Sequence, residues 1–150
     1  MQKTTPFLWF DGRVGQAVKF YRSVFKQSKT VSVSRNGKTV QSATLRLNGQ
    51  ELILFNGGPH YKLTPAFSLM VRCKTQQEVD YYWAKLTKGG EESRCAWLKD
   101  KFGLSWQIVP EELMELLGDK DSTKAARVMQ AMLKMSKIDI KALKRAHAGK

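Results

Sequence analysis

The side chains that could do chemistry in this chain are few, and none forms a familiar catalytic set. The two histidines, His60 and His147, lie outside any metal-binding or triad motif. A cysteine nucleophile would need a histidine base beside it, and Cys73 alternates with apolar neighbours in the pattern of a packed strand. The residues therefore indicate no reaction, and whether the chain is an enzyme stays open.

The glycine-rich run Asn56-Gly57-Gly58-Pro59 does not predict a phosphate site. It lacks the Lys-Ser/Thr pair and the following helix of a phosphate-binding loop. With two cysteines, Cys73 and Cys95, the chain has neither a disulfide framework nor a zinc motif. We expect no cofactor, and we expect both thiols to be buried in a reducing cytoplasm.

Length and composition favour one soluble domain. The 150 residues are 42% hydrophobic, enough to bury roughly two-thirds of the unfolded surface in one core. No charged-then-apolar leader opens the chain, and its apolar runs are far short of the roughly 20 residues that cross a bilayer. We expect a cytoplasmic protein with no membrane contact.

The net charge of +13 is concentrated towards the C-terminal end of the chain. Residues 120–150 carry nine lysines and arginines against two aspartates. A basic surface of this kind suits nucleic acid, anionic ligands or solubility alone, so charge by itself does not choose a partner.

The first part of the chain predicts a strand, a helix and a three-stranded meander. The apolar run 6–10 is closed by Asp11-Gly12, and apolar residues then recur at helical spacing over 14–25. Two Asn-Gly pairs, Asn36-Gly37 and Asn48-Gly49, separate alternating runs, which is the pattern of β-hairpins with type I′ turns.

The same order of elements is predicted again in the second part. A half-buried strand over 68–73 precedes a capping-box sequence, Thr75-Gln76-Gln77-Glu78, and Gly89-Gly90 ends the helix that follows. The run 96–110 reads as a final hairpin with its turn at Gly103. The pattern β-α-β-β-β therefore occurs twice, over about 4–58 and 64–110.

Beyond Pro110 the strand signals stop, and apolar residues return at helical spacing. Breaks at Gly118-Asp119 and Ser136-Lys137 predict three short helices. We therefore expect one α+β domain of two modules, followed by a basic helical extension over 111–150.

Four stretches of this sequence resemble a known family. They are Thr5-Pro6-Phe7-Leu8-Trp9-Phe10-Asp11-Gly12, Phe55-Asn56-Gly57-Gly58-Pro59, Asp80-Tyr81-Tyr82-Trp83, and Asp100-Lys101-Phe102-Gly103 leading into Trp106. With the duplicated pattern, they resemble the PhnB-like branch of the glyoxalase/bleomycin-resistance superfamily, or vicinal oxygen chelate proteins, often labelled demethylubiquinone methyltransferase-like. The resemblance covers about residues 4–147 and implies two modules that form a curved mixed sheet around a cleft. It does not carry an activity, because one fold hosts many chemistries.

In metal-using relatives of this superfamily, each half supplies one ligand from its first strand and one from its last. The matching positions here are Thr5, Leu52 or Leu54, Ser68 and Gln107. A divalent metal held by protein alone needs His, Cys or carboxylate ligands, which these positions do not offer. We therefore predict no metal, with Glu51 and His60 as the nearest replacements.

Strand phase, together with the family's register, predicts a ligand-binding face that is mostly apolar with a few polar groups. Its residues are Thr5, Phe7, Trp9, Leu54, Ser68, Met70, Arg72, Trp97, Ser105 and Gln107. Leu8, Phe10, Trp106 and Ile108 have the opposite phase and are predicted core. In the alternative, the aromatic residues merely fill the cleft, and Arg72 and Gln107 would then need polar partners.

Three functions stay open at this point. The first is binding of a small organic ligand in the cleft without a metal, as in bleomycin-resistance proteins. The second is a basic interaction module for nucleic acid or an acidic partner, which is less favoured because the basic helices lack interleaved aromatic residues. The third is an enzyme of the superfamily with a displaced site.

The resemblance also implies a homodimer, since relatives of this superfamily commonly pair two chains. The C-terminal helices add apolar residues that two copies could share: Met129, Met132, Leu133, Met135 and Ile138. In the alternative, these helices fold back over their own chain.

Overall fold

Each half of the chain contains one strand, one helix and three further strands, as the two sequence patterns predicted. The structure, a computed structural model, describes residues 2–150 and divides into two units, residues 2–64 and Pro65–Lys150. The α+β prediction, with two β-α-β-β-β modules and a helical extension, is confirmed.

The first unit holds a four-stranded mixed sheet. Its elements are β1 (Phe7–Phe10), α1 (Val14–Val24), β2 (Ser28–Asn36), β3 (Thr39–Leu47) and β4 (Gln50–Asn56). The strand order is β1-β4-β3-β2, with β1 parallel to β4 and the other neighbours antiparallel.

One face of this sheet is buried against α1. The helix buries the stripe that its spacing predicted, namely Val14, Ala17, Val18, Tyr21 and Val24. Leu8 and Phe10 of β1 are buried as well, because alternate residues of a strand share a face. We call the opposite face of each sheet, which its own helix does not cover, the open face.

Two tight turns join the strands of this meander, and one differs from its prediction. Asn48-Gly49 has positive φ at both residues, 46° and 88°, as a type I′ turn requires. The predicted turn at Asn36-Gly37 is wrong by one residue, because the ladder continues through Asn36, which pairs with Thr39. The loop is Gly37-Lys38, where Gly37 supplies the positive φ that a type II′ turn needs at its first central residue.

The second unit repeats the arrangement of the first. Its elements are β5 (Ser68–Cys73), α2 (Gln76–Thr87), β6 (Glu91–Glu92), β7 (Trp97–Lys99) and β8 (Ser105–Pro110). The strand order is β5-β8-β7-β6, with β5 parallel to β8. Helix α2 buries Val79, Trp83 and Leu86, whereas the predicted fourth member of its stripe, Tyr82, is only half-buried.

The start of α2 is capped much as its sequence predicted. The Thr75 Oγ1 accepts a hydrogen bond from the Glu78 backbone N–H at 3.1 Å. The Glu78 carboxylate accepts from the backbone N–H of Lys74 at 2.9 Å, one residue earlier than in a standard capping box. Two donors at the helix entrance are therefore satisfied by side chains.

Three helices follow the second sheet, and they pack on their own unit. They are α3 (Glu111–Leu117), α4 (Ser122–Leu133) and α5 (Ile140–His147). Buried residues of these helices and of the loop between α4 and α5 form a core with Ala96 and Val109: Leu113, Val128, Ile138 and Leu143. Ile138 is therefore not left over for a second chain, while Met129 and Leu133 stay 39% and 48% exposed.

Backbone hydrogen bonds attach this extension to the segment before β7. The N–H groups of Cys95 and Ala96 donate to the carbonyls of Met135 and Ser136 at 2.9 and 3.0 Å. Cys95 and Ala96 have φ of 55° and 79°, left-handed values that non-glycine residues rarely adopt. Cys95 is only half-buried, so the prediction of buried thiols holds for Cys73 alone.

Side chains of α2 hold the loop between α4 and α5. Gln76 donates from Nε2 to the Ile138 carbonyl at 2.9 Å and accepts from the Ile140 N–H at 2.8 Å. Lys137 and Asp80 form an ion pair at 2.9 Å. Within residues 2–150, no helix is long and apolar enough to cross a membrane.

Candidate functional site

Aromatic side chains cover the β1–β4 side of the first open face. Register places Phe7 opposite Ile53 and Trp9 opposite Phe55. The Phe55 ring centroid lies 5.4 Å from those of both Phe7 and Trp9, and the Tyr61 ring lies 5.0 Å from Trp9. Phe7 is 59% exposed, so this cluster is not a closed core.

Trp9 is held in place by the glycine-rich run that follows β4. Its Nε1–H donates to the carbonyl of Gly58 at 2.9 Å. A Cβ atom on Gly57 would lie 2.2 to 2.6 Å from atoms of the indole ring, so only glycine allows this approach. The run Asn56-Gly57-Gly58-Pro59, one of the stretches that resembled a known family, therefore fixes the position of the Trp9 side chain.

The prediction that Leu54 shares a face with Phe7 and Trp9 is wrong. Leu54 pairs with Leu8 in the parallel β1–β4 ladder, and both are buried in the core with Leu52. Because residues alternate along a strand, a shift of one residue exchanges the two faces. Thr5 lies just before β1 and is half-buried.

Sequence reasoning missed two aromatic members of this face. Phe55 has the same phase as Ile53, and pairing Leu54 with Leu8 would have predicted its position. Tyr61 lies in the segment after β4, where no periodicity indicates its direction.

The two residues named as replacement metal ligands do not form a metal site. The Glu51 carboxylate forms an ion pair with Arg46. His60 lies exposed in the segment after β4. No group of three or more His, Cys, Asp or Glu side chains within residues 2–150 is placed to hold a metal.

The second open face brings together the predicted residues of β5, β7 and β8. Ser68 pairs with Ser105, Met70 with Gln107, and Gln107 in turn with Trp97. Arg72 follows on β5 and pairs with Val109, which shares this face but is buried against the helical extension, so the extension covers this end of the face on β8. That the six predicted residues share one face agrees with their strand phase; that they bind a ligand stays a prediction.

A polar pair lies at the centre of this face. The amide Nε2 of Gln107 donates to the hydroxyl oxygen of Ser68 at 3.0 Å. Met70 and Trp97 flank Gln107 on the neighbouring strands, and Met70 is 45% exposed. The side-chain amide is therefore fixed between two large apolar groups that solvent can reach.

Trp97 differs from the other three tryptophans. Trp9 donates its indole N–H to the Gly58 carbonyl, Trp83 to Glu92 Oε1 at 2.7 Å, and Trp106 to Asp100 Oδ2 at 2.9 Å. The half-buried indole of Trp97 donates to no group in the part of the chain that the structure describes. No buried side-chain nitrogen among residues 2–150 lacks a partner, so the Trp97 N–H is reachable from solvent and can donate to water or to a ligand.

Two cations border the second open face at opposite ends. Lys99 lies in the row of Ser68 and Ser105, on β7 inside the sheet, and is half-buried. Arg72 lies on β5, at the sheet edge, and is exposed. Neither forms an ion pair among residues 2–150, although Glu91 lies opposite Lys99 on β6.

The thiol of Cys73 is buried in the core of the second unit. Burial, with a smaller contribution from Glu78, raises the pKa of Cys73 to about 12. Its side chain lies on the core face of β5, opposite in phase to Arg72. At neutral pH the thiol is protonated and is no nucleophile.

Two β-α-β-β-β units with matching strand orders define a protein of the glyoxalase, or vicinal oxygen chelate, fold. A family model for 3-demethylubiquinone-9 3-methyltransferase matches residues 2–109. The chain belongs to this PhnB-like family. The match ends at Val109, so α3, α4 and α5 lie outside it.

One solved structure agrees with this membership, and two more distant ones agree with the fold. The PhnB protein of Bacillus cereus, which carries the same family label, is 38% identical with a TM-score of 0.67, over 73% of this chain and 99% of that one. Protein PA1353 of Pseudomonas aeruginosa is 16% identical with a TM-score of 0.62, over 74% and 98%. The fosfomycin resistance protein FosX of Listeria monocytogenes is 13% identical with a TM-score of 0.59, over 79% and 98%. Among curated proteins, none matches the chain in sequence.

Proposed function

We propose that this chain binds a small organic ligand on the open face of its second sheet, without a metal. The observation that carries the proposal is the Gln107–Ser68 hydrogen bond between Met70 and Trp97. Binding sites for small molecules combine apolar walls with a few fixed polar groups, and this row has both.

The competing interpretation, that these side chains only fill space, fits the exposure poorly. Met70 keeps nearly half of its surface in contact with solvent, and Arg72 is exposed without an ionic partner among residues 2–150. In a filled interior these groups would be buried and paired. The aromatic cluster of the first open face offers a second apolar surface of the same kind.

The side chains at the positions of the metal ligands support binding without a metal. The positions that supply ligands in metal-using relatives hold Thr5, Ser68 and Gln107, whose hydroxyl and amide groups are weak ligands for a divalent ion. The fourth position, Leu52 or Leu54, is a buried alkyl side chain. This residue set does not fit the imidazole, thiolate and carboxylate donors that such metals need.

A fragment screen on the ¹⁵N-labelled chain tests the proposal. We expect flat, apolar fragments to shift the amide signals of β5, β7 and β8 with saturable binding. Gln107→Ala should weaken that binding without changing the fold. Gln16→Ala, on the exposed side of α1, serves as the matched control.

Two results would overturn the proposal. One is a library without a single fragment that shifts signals of the second open face. The other is near-stoichiometric zinc, nickel, iron or manganese in the dialysed protein, measured by elemental analysis.

A further inference from the structure

Several polar groups of the second open face have no protein partner among residues 2–150 and indicate what kind of ligand it takes. We propose that the ligand is a planar organic acid that also carries a hydroxyl group, with its carboxylate at Lys99 and Trp97 and its hydroxyl at Gln107. This inference rests on the proposed function, because it names the ligand of the same site.

The paired residues Met70, Gln107 and Trp97 form the central row of this face. The hydrogen-bonding groups of this row define one donor and one acceptor that the ligand should carry. Gln107 uses its Nε2 on Ser68, while its Oε1 accepts from no group among residues 2–150. No buried side-chain oxygen or nitrogen in that range lacks a partner, so this Oε1 is reachable from solvent. It can accept a hydrogen bond from a ligand hydroxyl, and the Trp97 N–H, which is reachable from solvent for the same reason, can donate to a ligand acceptor.

The charge of the site favours a carboxylate as that acceptor. Lys99 and Trp97 are two residues apart on β7 and therefore share a face about 7 Å apart along the strand. Lys99 is half-buried inside the sheet, so its charge is less screened than that of the exposed Arg72 on the edge strand. The chain's net charge of +13 adds long-range attraction for an anion.

The apolar groups favour a flat body between these polar contacts. The Trp97 indole and the Met70 thioether lie on either side of Gln107. Aromatic rings and sulfur both make favourable contacts with the face or edge of a planar ring. A fused aromatic acid therefore suits this row better than a flexible aliphatic one.

Three naphthalene probes separate the parts of this proposal. They are 6-hydroxy-2-naphthoate, 2-naphthoate without the hydroxyl, and the methyl ester of the first without the charge. The indole ¹H–¹⁵N signals report binding, because Trp97→Phe assigns one of the four, and the buried Trp83 and Trp106 are internal controls. We expect the hydroxy acid to shift the Trp97 signal and to bind about fivefold more tightly than either of the other probes.

Variants then attribute each preference to one side chain. Gln107→Ala should abolish the difference between the hydroxy acid and 2-naphthoate. Lys99→Gln should abolish the difference between the hydroxy acid and its ester. Lys85→Gln, a cation-to-amide change at an exposed residue of α2 away from this face, should leave both preferences in place.

The outcomes distinguish this inference from the proposed function. If fragments shift the second open face but the three probes bind equally, or the ester binds best, the ligand class is wrong and binding itself stands. The same holds if Lys99→Gln leaves the preference for the charged probe unchanged. If neither probes nor fragments shift this face, the proposed function fails as well.

Discussion

The indole N–H of Trp106 donates to the Asp100 carboxylate across the final hairpin, with 2.9 Å between Nε1 and Oδ2. Both residues are buried, Asp100 at 2% exposure. The other carboxylate oxygen accepts from the backbone N–H groups of Phe102 and Leu104 at 2.8 and 3.1 Å. One carboxylate thus fixes both the turn and the strand that carries Gln107.

Replacing this carboxylate should be costly. Asp100→Ala leaves three donors without their acceptor, and we expect a loss of about 3 kcal/mol in the free energy of unfolding. Urea denaturation followed by circular dichroism measures it. Trp106→Phe removes only one of these bonds and should cost less; equal losses, or none for Asp100→Ala, would contradict the interpretation.

The two faces of β8 should respond differently to truncation. Trp106→Ala empties a buried site and should destabilise the chain by about 3–5 kcal/mol. Gln107→Ala changes a half-buried side chain on the open face and should cost less than about 1 kcal/mol. Thermal unfolding of both variants measures the two losses of stability. Similar losses would show that the core face and the open face of β8 were misassigned.

Stability at high pH should depend on Cys73. Its pKa is raised from 9.0 to about 12, first by burial and then by Glu78. The folded state therefore holds this proton more tightly than the unfolded state does. The contribution of Cys73 is complete below about pH 9 and is lost between about pH 9 and 12, at up to about 1.4 kcal/mol per pH unit.

Unfolding free energies measured across that pH range test this dependence. Cys73→Ala should reduce the decrease of the unfolding free energy with rising pH, because the titrating thiol is absent. Cys95→Ser should leave that decrease unchanged. A native chain whose Cys73 reacts with iodoacetamide at pH 8 as fast as Cys95 does would show that the thiol is not protected.

A methyl group on Gly57 should displace Trp9. The added methyl group of Gly57→Ala would clash with the indole ring and force it to move. We expect a loss of about 1–3 kcal/mol in the free energy of unfolding, together with changed tryptophan fluorescence. In a Trp9→Ala background the same substitution should cost much less. A Gly57→Ala chain with unchanged stability and spectrum would argue against the close contact.

The homodimer stays a prediction, and the structure changes how it is best tested. Deleting residues 120–150 would uncover Ala96, Val109 and Leu113. A chain without these residues that no longer dimerises could therefore simply be unfolded. Leu133→Glu alters only an exposed residue of α4. We expect light scattering to give a dimer mass for the intact chain and a monomer mass for Leu133→Glu, with Lys85→Glu on α2 as the control.

An intact chain that runs as a monomer at tens of micromolar would refute the homodimer. A dimer that Leu133→Glu leaves unchanged would place its interface away from the outer side of α4.

The order and type of the elements could be read from the sequence because alternation, helical spacing and glycine turns act locally. Trp106 and Gln107 were placed on their correct faces for this reason. Leu54 was not, because the face of β4 depends on its pairing with β1, some 45 residues away in sequence, and an error of one residue exchanges the faces.

Other parts of the site depend on contacts that no local pattern contains. Asp100 looked like an ordinary turn residue, and its hydrogen bonds to the turn are local, but no local pattern indicates that its second carboxylate oxygen accepts from the indole of Trp106. That the Trp97 indole N–H has no protein acceptor among residues 2–150 becomes apparent only when the partners of all four tryptophans are compared. Which apolar face of α4 turns inward was likewise undetermined until α3 and α5 were placed around it.

The packing of the C-terminal helices also bears on the order in which the chain folds during synthesis. Every strand pairing of the first sheet lies within residues 2–64, so that sheet can form while the rest is still being translated. The apolar residues of the final hairpin are buried later, because Ala96 and Val109 are covered only after Ile138 and Leu143 have been synthesised. A chain released shortly after Pro110 would therefore carry one finished unit and one whose residues Ala96 and Val109 are uncovered.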